Sequence, residues 1–159
     1  MSDLSFLTPQ GRFNYRVAAV ILHANQILAM KETEAPYYYL PGGRVKQQET
    51  SLEALQRELQ EELELSEYSA HLRWVHENFF TEAVSQESYH ELCFYYLVKL
   101  PAEHALLTQP SFVRAEAHQE HLFQWLPCES LDQAPLFPGF LYSELMANHG
   151  GLHHIVEKT

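Results

Sequence analysis

Cysteine and positive charge are both scarce in this sequence. Two cysteines occur in 159 residues, and Cys93 lies inside an apolar run, which argues against a disulfide framework and fits a reducing, cytoplasmic environment. Ten Lys and Arg against 21 Asp and Glu give a formal net charge of −11. This balance argues against general binding to a nucleic-acid backbone or an anionic membrane, and a polyphosphate ligand would need metal ions.

Long hydrophobic runs are also missing. No apolar run approaches the roughly 18–20 residues that span a bilayer, and the N-terminus lacks a basic region that leads into a hydrophobic one. We therefore expect a protein that is neither exported nor embedded in a membrane. Apolar residues nevertheless make up 46% of the chain, and aromatic residues 13%, which excludes intrinsic disorder. The length suits one compact domain, and we predict a single domain over residues 1–159.

Apolar and alternating runs predict most of the secondary structure. Residues 15–23 and 26–31 flank Ala24-Asn25 and predict a hairpin. Further strands are predicted over 37–40, 70–80, 91–100 and 121–126, with an antiparallel pairing of 70–80 and 91–100. A turn of helix is predicted over 129–133 and a C-terminal helix over 140–148. Pro41-Gly42-Gly43 predicts a sharp turn after the strand at 37–40.

The strongest helix prediction covers residues 50–65, where Gly and Pro are absent and Thr50-Ser51 suits an N-terminal cap. An apolar stripe at helical spacing is formed by Leu52, Leu55, Leu59 and Leu63. Glu58, Glu61 and Glu62 lie on another side of the helix, where they repel one another. A solvated acidic face is the ordinary explanation. The alternative is a site for Mg²⁺ or Mn²⁺, which prefer oxygen ligands and are often shared with substrate phosphates.

The spacing of these residues favours the metal site. The segment GRVKQQETSLEALQRELQEELEL, residues 43–65, resembles the Nudix box, G-x5-E-x7-R-E-U-x-E-E-x-G-U with U an aliphatic residue. It agrees at eight of nine specified positions, which are Gly43, Glu49, Arg57, Glu58, Leu59, Glu61, Glu62 and Leu65. The preceding Tyr39-Leu40-Pro41-Gly42-Gly43 is similar to the lead-in of the same family. Glu64 replaces the glycine that ends the helix in the family pattern, and we expect it to lengthen the helix or to move the turn to Ser66-Glu67.

The resemblance implies an α/β (α+β) fold in which a mixed β-sheet is sandwiched between α-helices and the box forms a loop-helix-loop. It also implies Mg²⁺-dependent hydrolysis of a nucleoside diphosphate linked to another moiety, with Mn²⁺ as a substitute. Carried over by position, Glu61, Glu62 and the carbonyl of Gly42 would bind metal, and Glu58 would be a ligand or the base. Arg57 would orient the glutamates, and Gly43 and Glu49 would support the loop. Nudix proteins of this size are often homodimers, and the resemblance makes a homodimer the expected state of this chain.

Residues outside the box complete the expected site. Family members often use an acid from a later loop, and Glu116 and Glu120 are the candidates; we assign Glu120 to the metal, with Glu91 on a strand as an alternative. Substrate contacts are expected from Tyr37, Tyr39, Arg44 and Phe80, because aromatic rings stack on bases. We discount the histidines as a structural metal site, since no cysteine partners them at zinc-site spacing. These histidines are His118, His121, His149, His153 and His154.

The substrate is less well determined than the reaction. ADP-ribose hydrolases of the family carry a proline, and dinucleoside polyphosphate hydrolases a tyrosine, some fifteen to eighteen residues beyond the box. Positions 79–83 contain neither. The first hypothesis is therefore a pyrophosphohydrolase of a nucleoside triphosphate or related nucleotide. The alternatives are an ADP-ribose or nucleotide-sugar hydrolase and a catalytically silent nucleotide sensor.

Overall fold

The computed structural model of the chain describes residues 2–116, 118–148 and 150–159. His149 and the side chain of Glu116, both considered above, lie outside this part. The described residues form nine strands, two α-helices and two short 3₁₀ helices. The strands are β1 Ser5–Thr8, β2 Gly11–His23, β3 Gln26–Glu32, β4 Gly42–Arg44, β5 Ser69–Thr81, β6 Ser88–Lys99, β7 Ser111–Glu116, β8 Gln119–Pro127 and β9 His153–Lys158. The α-helices are α1 Ser51–Leu63 and α2 Leu141–Ala147, and the 3₁₀ helices are Ala105–Thr108 and Cys128–Ser130.

The strands form a mixed sheet in the order β7-β8-β3-β2-β6-β5-β9. The β2–β6 and β5–β9 pairs are parallel, and the other pairs are antiparallel. The predicted antiparallel pairing of β5 with β6 and the hairpin of β2 with β3 are both confirmed. At the hairpin turn Ala24 and Asn25 both have positive φ, 49° and 60°, as two-residue hairpins of this twist require.

β2 lies at the centre of the sheet, and its length allows it to pair with different strands on its two edges. One edge pairs with β6 along residues 12–21. The other edge is shared by β1, β4 and β3 in turn, and Gly42 of β4 lies opposite Ala18. The first residues of the Nudix-like segment are therefore held against the centre of the sheet.

The two faces of the sheet are covered by different helices. Val17, Ala19 and Ile21 belong to one buried cluster with the α1 leucines, whereas Ala18 and Val20 belong to a second cluster with Leu141 of α2. Alternate residues of a strand point to opposite faces, so the helices lie on opposite sides of the sheet. The predicted sandwich is confirmed. In α1 the buried residues are Ala54, Leu55, Leu59 and Leu63, whereas Leu52, which helical spacing assigns to the apolar stripe, is exposed.

The ends of α1 are set by two local motifs. At the start, Thr50 Oγ1 accepts from the backbone N–H of Glu53, and Thr50 N–H donates to the Glu53 carboxylate. At the end, the helix stops at Leu63, and Glu64 itself adopts the left-handed conformation with φ 54° and ψ 34°. The expectation that Glu64 lengthens the helix or moves the turn to Ser66-Glu67 is therefore wrong. Hydrogen bonds from Glu64 N–H to Gln60 O and from Leu65 N–H to Leu59 O close the helix with a non-glycine residue in the usual glycine position.

Two other predictions are corrected. Residues 37–40 form isolated bridges at Tyr38 and Tyr39 rather than a strand. The predicted turn at Pro41-Gly42-Gly43 is limited to a bend at Pro41, because Gly42–Arg44 is a strand that pairs with β2. Glycine is uncommon in strands, so the pattern gave no signal for β4. The strands β1, β7 and β9 also lack a clear sequence signal. Within the described part of the chain, no helix is long and apolar enough to cross a bilayer.

Candidate active site

The second half of α1 faces β4, so the helix glutamates meet the glycines of the strand. A Cβ built on Gly43 would lie 2.4 Å from Oε1 of Glu58, so this carboxylate rests directly on the glycine. One turn later, Oε1 of Glu62 accepts a hydrogen bond of 2.9 Å from the backbone N–H of Gly42. Glu58 and Glu62 therefore hold the same two-residue stretch of backbone. Gly42 is itself confined, since a Cβ there would lie 2.1 Å from the carbonyl oxygen of Val17.

Arg57 is the centre of the hydrogen-bond network beside these glutamates. Its guanidinium donates two bonds to Glu49, of 2.7 and 2.9 Å, and one of 2.8 Å to Glu58. It also donates to the carbonyl oxygen of Arg44 at 3.0 Å and lies 3.7 Å from Oε2 of Glu61. Bidentate Arg–carboxylate pairs fix orientation as well as charge. Arg57 thus links the helix to the loop before it and to β4.

Glu49 anchors that loop. Its side chain is 8% exposed, and Oε1 also accepts a bond of 2.9 Å from the backbone N–H of Lys46. Hydrogen bonding to Arg57 lowers the pKa of Glu49 below its ordinary value, against the opposing effect of burial. Glu49 is therefore held as a carboxylate.

The pKa of Glu58 is shifted in the opposite direction to that of Glu49. Burial raises the pKa of Glu58 above its ordinary value, although the bond and charge of Arg57 oppose this. Hydrogen bonds to Glu49 and Glu58 raise the pKa of Arg57, so the guanidinium stays charged. A buried carboxylate with a raised pKa is suited to accept a proton from water.

A cavity of about 790 Å³ lies beside this cluster on the α2 face of the sheet. Among its lining residues are Arg16, Glu32, Tyr37, Tyr39, Asn78, Phe80, Glu91, Phe137 and Glu157. Arg16 is partly buried, with Cys93, Glu91 and Tyr95 among its neighbours. Burial alone would lower the pKa of Arg16, but the surrounding groups, Glu91 and Glu58 among them, raise it overall. The lining of the cavity therefore combines aromatic side chains with the positive charge of Arg16.

Tyr39 connects the cavity with the glutamates. Burial raises the pKa of Tyr39 to about 12, and the negative charge of Glu62 adds to that shift. Tyr39 thus lines the cavity and lies within electrostatic range of the box. Tyr39 and Arg16 are thus the cavity residues on which the charges of the box glutamates act.

The family model for the NUDIX domain matches residues 12–143 of the chain. The chain belongs to the Nudix family. The chain is therefore a Nudix hydrolase. No curated protein matches the sequence.

Solved structures of low sequence identity share the fold. The MutT protein from Bacillus halodurans is 14% identical with a TM-score of 0.64, over 92% of this chain and 90% of that one. An ADP-ribose pyrophosphatase from Streptococcus suis is 13% identical with a TM-score of 0.58, over 90% and 98%. A UDP-X diphosphatase is 17% identical with a TM-score of 0.53, over 94% and 68%. These likenesses confirm the Nudix fold and do not select a substrate.

The structure brings together most of the residues expected in the Nudix box site. Glu61 is the most exposed of the three helix glutamates, with 48% of its side chain accessible. No group of three or more His, Cys, Asp or Glu among the described residues surrounds one point closely enough to hold a metal. Instead, a carboxylate oxygen of Glu62 lies against the backbone of Gly42, and the carboxylate of Glu58 lies against Gly43.

The acid from a later loop is placed differently from the expectation. Glu120 is exposed at the start of β8, where its carboxylate accepts from Thr33 Oγ1 at 3.2 Å. The small cleft beside Glu61 and Glu62 is lined by its neighbours Ala115 and His121. The metal role of Glu120 therefore has no supporting contact among the described residues. Glu91, the strand alternative, lies in the wall of the large cavity.

Three of the four residues expected to contact substrate line the cavity: Tyr37, Tyr39 and Phe80. Arg44 is not among the lining residues. Its Nε donates to Asn14 Oδ1 at 3.0 Å, and Asn14 Nδ2 donates to Glu91 at 2.7 Å. Arg44 thus reaches the cavity only through Asn14 and Glu91.

Sequence reasoning missed Arg16, Asn78 and Glu157 as cavity residues. Arg16 had a usable signal, because it is the one charged side chain within the apolar run of residues 15–22. Glu157 had none, since β9 was not predicted. The histidines near it contact carboxylates: His153 lies against Glu144, and His154 against Glu77.

Proposed function

We propose that this Nudix hydrolase is a Mg²⁺-dependent pyrophosphohydrolase that cleaves the pyrophosphate bond of a nucleoside triphosphate or a related nucleotide. The observation that carries the proposal is the position of Tyr39. It lines a cavity large enough for a nucleoside and is also influenced by the charge of Glu62. A nucleotide with its base in the cavity would direct its phosphates towards the glutamates.

The donor set fits a hard divalent cation. Glu58, Glu61, Glu62 and the carbonyl of Gly42 offer only oxygen, and Mg²⁺ is usually bound through one or two carboxylates together with substrate phosphates. Glu58 and Glu62 are the pair that flank Gly42 and Gly43. When bound, the metal neutralises phosphate charge and acidifies water. Mn²⁺ takes the same kind of ligands and would substitute.

The chain's own groups then position water and phosphate. Arg57 holds Glu58 in place, and the raised pKa of Glu58 suits it to accept a proton from water that attacks phosphorus. Glu61, less restrained, is the second choice for that role. The P–O–P bond breaks, and the leaving phosphate departs with the electron pair.

The lining of the cavity supports the proposal that the ligand carries a nucleoside. Tyr37, Phe80 and Phe137 provide aromatic surface against which a base stacks, as aromatic rings do with nucleobases. The absence of a proline or tyrosine at positions 79–83 favours a triphosphate over ADP-ribose and dinucleoside polyphosphates. ADP-ribose or a nucleotide sugar remains the alternative substrate class, and a silent nucleotide sensor is the alternative to an enzyme.

A substrate panel tests the proposal. Purified protein with Mg²⁺ or Mn²⁺ is given nucleoside triphosphates, an oxidised guanine nucleotide, ADP-ribose, nucleotide sugars and dinucleoside polyphosphates, and the products are separated and identified. We expect hydrolysis of a triphosphate to a monophosphate and pyrophosphate or to a diphosphate and phosphate, abolished by EDTA. Turnover of ADP-ribose or a nucleotide sugar alone would replace the triphosphate assignment. Nucleotide binding without turnover would support the sensor. The molar mass in solution, measured alongside, tests the expected homodimer.

A further inference from the structure

The C-terminal strand β9 lies beyond residue 143, where the match to the family model ends, yet it contributes to the cavity. It pairs in parallel with β5 at the edge of the sheet. Glu157 of this strand and Thr159 after it line the cavity. Part of the cavity's chemistry therefore comes from a segment that the family model does not cover.

Glu157 completes a row of polar side chains across three strands. Asn78 of β5 lies opposite Glu91 of β6 on one side and opposite Glu157 of β9 on the other. Paired side chains point to the same face of a sheet, with Cβ atoms about 5 Å apart, and all three residues line the cavity. A carboxylate, an amide and a carboxylate thus follow one another. Ionised carboxylates only accept hydrogen bonds, so the row is richer in acceptors than in donors.

Glu157 also lies against a buried histidine, His76 of β5. His76 is 1% exposed, and its ring packs against Phe140, with centroids 4.8 Å apart. Its Nε2 lies 2.8 Å from Oε1 of Glu157, while neither ring nitrogen makes a hydrogen bond of normal geometry within the described part of the chain. A carboxylate this close requires the proton on Nε2. Burial lowers the pKa of His76 more than the charge of Glu157 raises it, which favours the neutral ring.

Part of the Glu157 side chain remains accessible to a ligand. It is 41% exposed, and the residue lines the cavity. A ligand group that donates N–H bonds would be satisfied there. A keto oxygen in the same place would set lone pairs against lone pairs and leave the carboxylate without a donor from the ligand, which costs free energy in a partly desolvated site.

We propose that Glu157 is a specificity-determining residue that accepts a hydrogen bond from the exocyclic amino group of the nucleobase, and that His76 is its positioning residue. The proposal rests on the proposed function in one respect, namely that the cavity holds a nucleobase. It selects amino-bearing bases over their keto counterparts.

Matched nucleotide pairs test this selection directly. The pairs are CTP with UTP and ATP with ITP, which differ in the exocyclic amino or keto group and in the hydrogen on the adjacent ring nitrogen. With Mg²⁺, the wild-type protein is expected to show a KM at least about tenfold lower for the better amino nucleotide than for its keto partner, with similar kcat. Glu157→Gln keeps the size of the side chain but adds an N–H donor, so the ratio of KM values should fall to within about threefold of one.

Glu77→Gln is the matched control. Glu77 precedes Asn78 on β5, points to the other face and contacts His154. It should keep the wild-type ratio. Retention of the wild-type ratio by Glu157→Gln, or a wild-type protein that treats both members of each pair alike, would overturn the proposal.

Binding without turnover separates this inference from the proposed reaction. Dissociation constants of CMP, UMP, AMP and IMP are measured by calorimetry with the same three proteins. A Glu157-dependent preference for CMP or AMP, without hydrolysis of any triphosphate, would refute the hydrolase proposal and support this one. Equal or absent binding of all four monophosphates would refute the role of Glu157.

His76 is tested by two substitutions with different donors. His76→Phe fills the buried space but has no hydrogen-bond donor. Its ratio of KM values should fall as in Glu157→Gln, while kcat stays unchanged. His76→Gln carries an amide N–H at a reach similar to Nε2 and should restore much of the ratio. Thermal unfolding identifies a variant that does not fold. If His76→Phe does not fold, the selectivities of His76→Gln and Glu157→Gln test the role of His76. A folded His76→Phe protein with wild-type selectivity would show that His76 only packs.

Discussion

The carboxylate of Glu58 occupies the space that a side chain at position 43 would need. A Cβ on Gly43 would come within 2.4 Å of Oε1 and 2.5 Å of Cδ of Glu58, closer than real Cβ atoms approach other heavy atoms. The backbone of Gly43 does not have the positive φ that favours glycine, in contrast to Gly151. The glycine is therefore required by the glutamate of the following helix and not by its own conformation.

Substitution of Gly43 should displace Glu58. We expect Gly43→Ala to reduce kcat/KM for the best substrate by about a hundredfold, because a displacement of a catalytic group by about 1 Å has effects of that order. The fold should survive, since only a side-chain carboxylate must move. Gly150→Ala is the control, because a Cβ there meets nothing within 4 Å. Steady-state kinetics and circular dichroism are measured together. Wild-type activity of Gly43→Ala would show that the observed position of Glu58 is not needed.

Substitution of the helix glutamates should change the Mg²⁺ dependence of activity, whereas substitution of other surface acids should not. Glu61→Gln and Glu62→Gln keep size and helix propensity but remove a charge that would bind Mg²⁺. We expect each to lose at least about tenfold in activity and to need more Mg²⁺ for half-maximal rate. The amide oxygen introduced by Glu62→Gln can still accept from the Gly42 N–H, so the free energy of unfolding should change little. Glu67→Gln, beyond the helix, is the control. An unchanged Mg²⁺ titration in both variants would refute their role as ligands.

The pair between Glu49 and Arg57 should make stability depend on pH. Hydrogen bonding to Arg57 lowers the pKa of Glu49 in the folded state. The stabilisation is therefore present above the unfolded pKa of about 4.3 and is lost as pH falls through the folded pKa. We expect Glu49→Gln to lower the free energy of unfolding at pH 7 by about 2 kcal/mol. Urea unfolding of both proteins at pH 7 and in acid checks this. A difference that stays constant into strongly acidic solution would contradict it.

Glu64 should be replaceable by glycine with a gain in stability. Glu64 has φ 54°, and a non-glycine residue in the left-handed conformation costs about 1 kcal/mol. Its carboxylate lies 3.6 Å from Arg114 in an exposed ion pair, and such pairs contribute about 0–1 kcal/mol. We expect Glu64→Gly to raise the free energy of unfolding by about 0.5–1 kcal/mol. Glu64→Ala loses the ion pair but keeps the strain, and it should not be stabilised. Chemical denaturation of the three proteins measures the difference, and a destabilised Glu64→Gly protein would show that the contact with Arg114 matters more.

The helix and its chemistry were predictable because their determinants are local. The capping box of Thr50 and Glu53, the leucine spacing and the order of Arg57, Glu58, Glu61 and Glu62 are all contained within one short segment. The hairpin at Ala24-Asn25 was predictable for the same reason. Local spacing also predicted that Arg57 could pair with Glu53 and Glu61, and the resemblance to the Nudix box implied that Arg57 orients the glutamates.

Other features depend on contacts between distant segments. The strand Gly42–Arg44 forms because one edge of β2 is available beside Ala18, and glycine is the residue that lets the two backbones approach. The left-handed Glu64 is imposed by the closure of the helix against Leu59 and Gln60. Leu52 is exposed because helical spacing defines a stripe but does not say how much of it the sheet covers.

The sequence by itself determined the family, the helix that carries the Nudix box and the carboxylates that this helix presents, because these follow from residue spacing along one element. Only the tertiary structure decided the shape and chemistry of the cavity. Arg16, Asn78, Glu91 and Glu157 come from four strands, and their side chains meet because strand register aligns residues from opposite ends of the chain. Register is set by the packing of whole faces against α1 and α2, and no local pattern contains it.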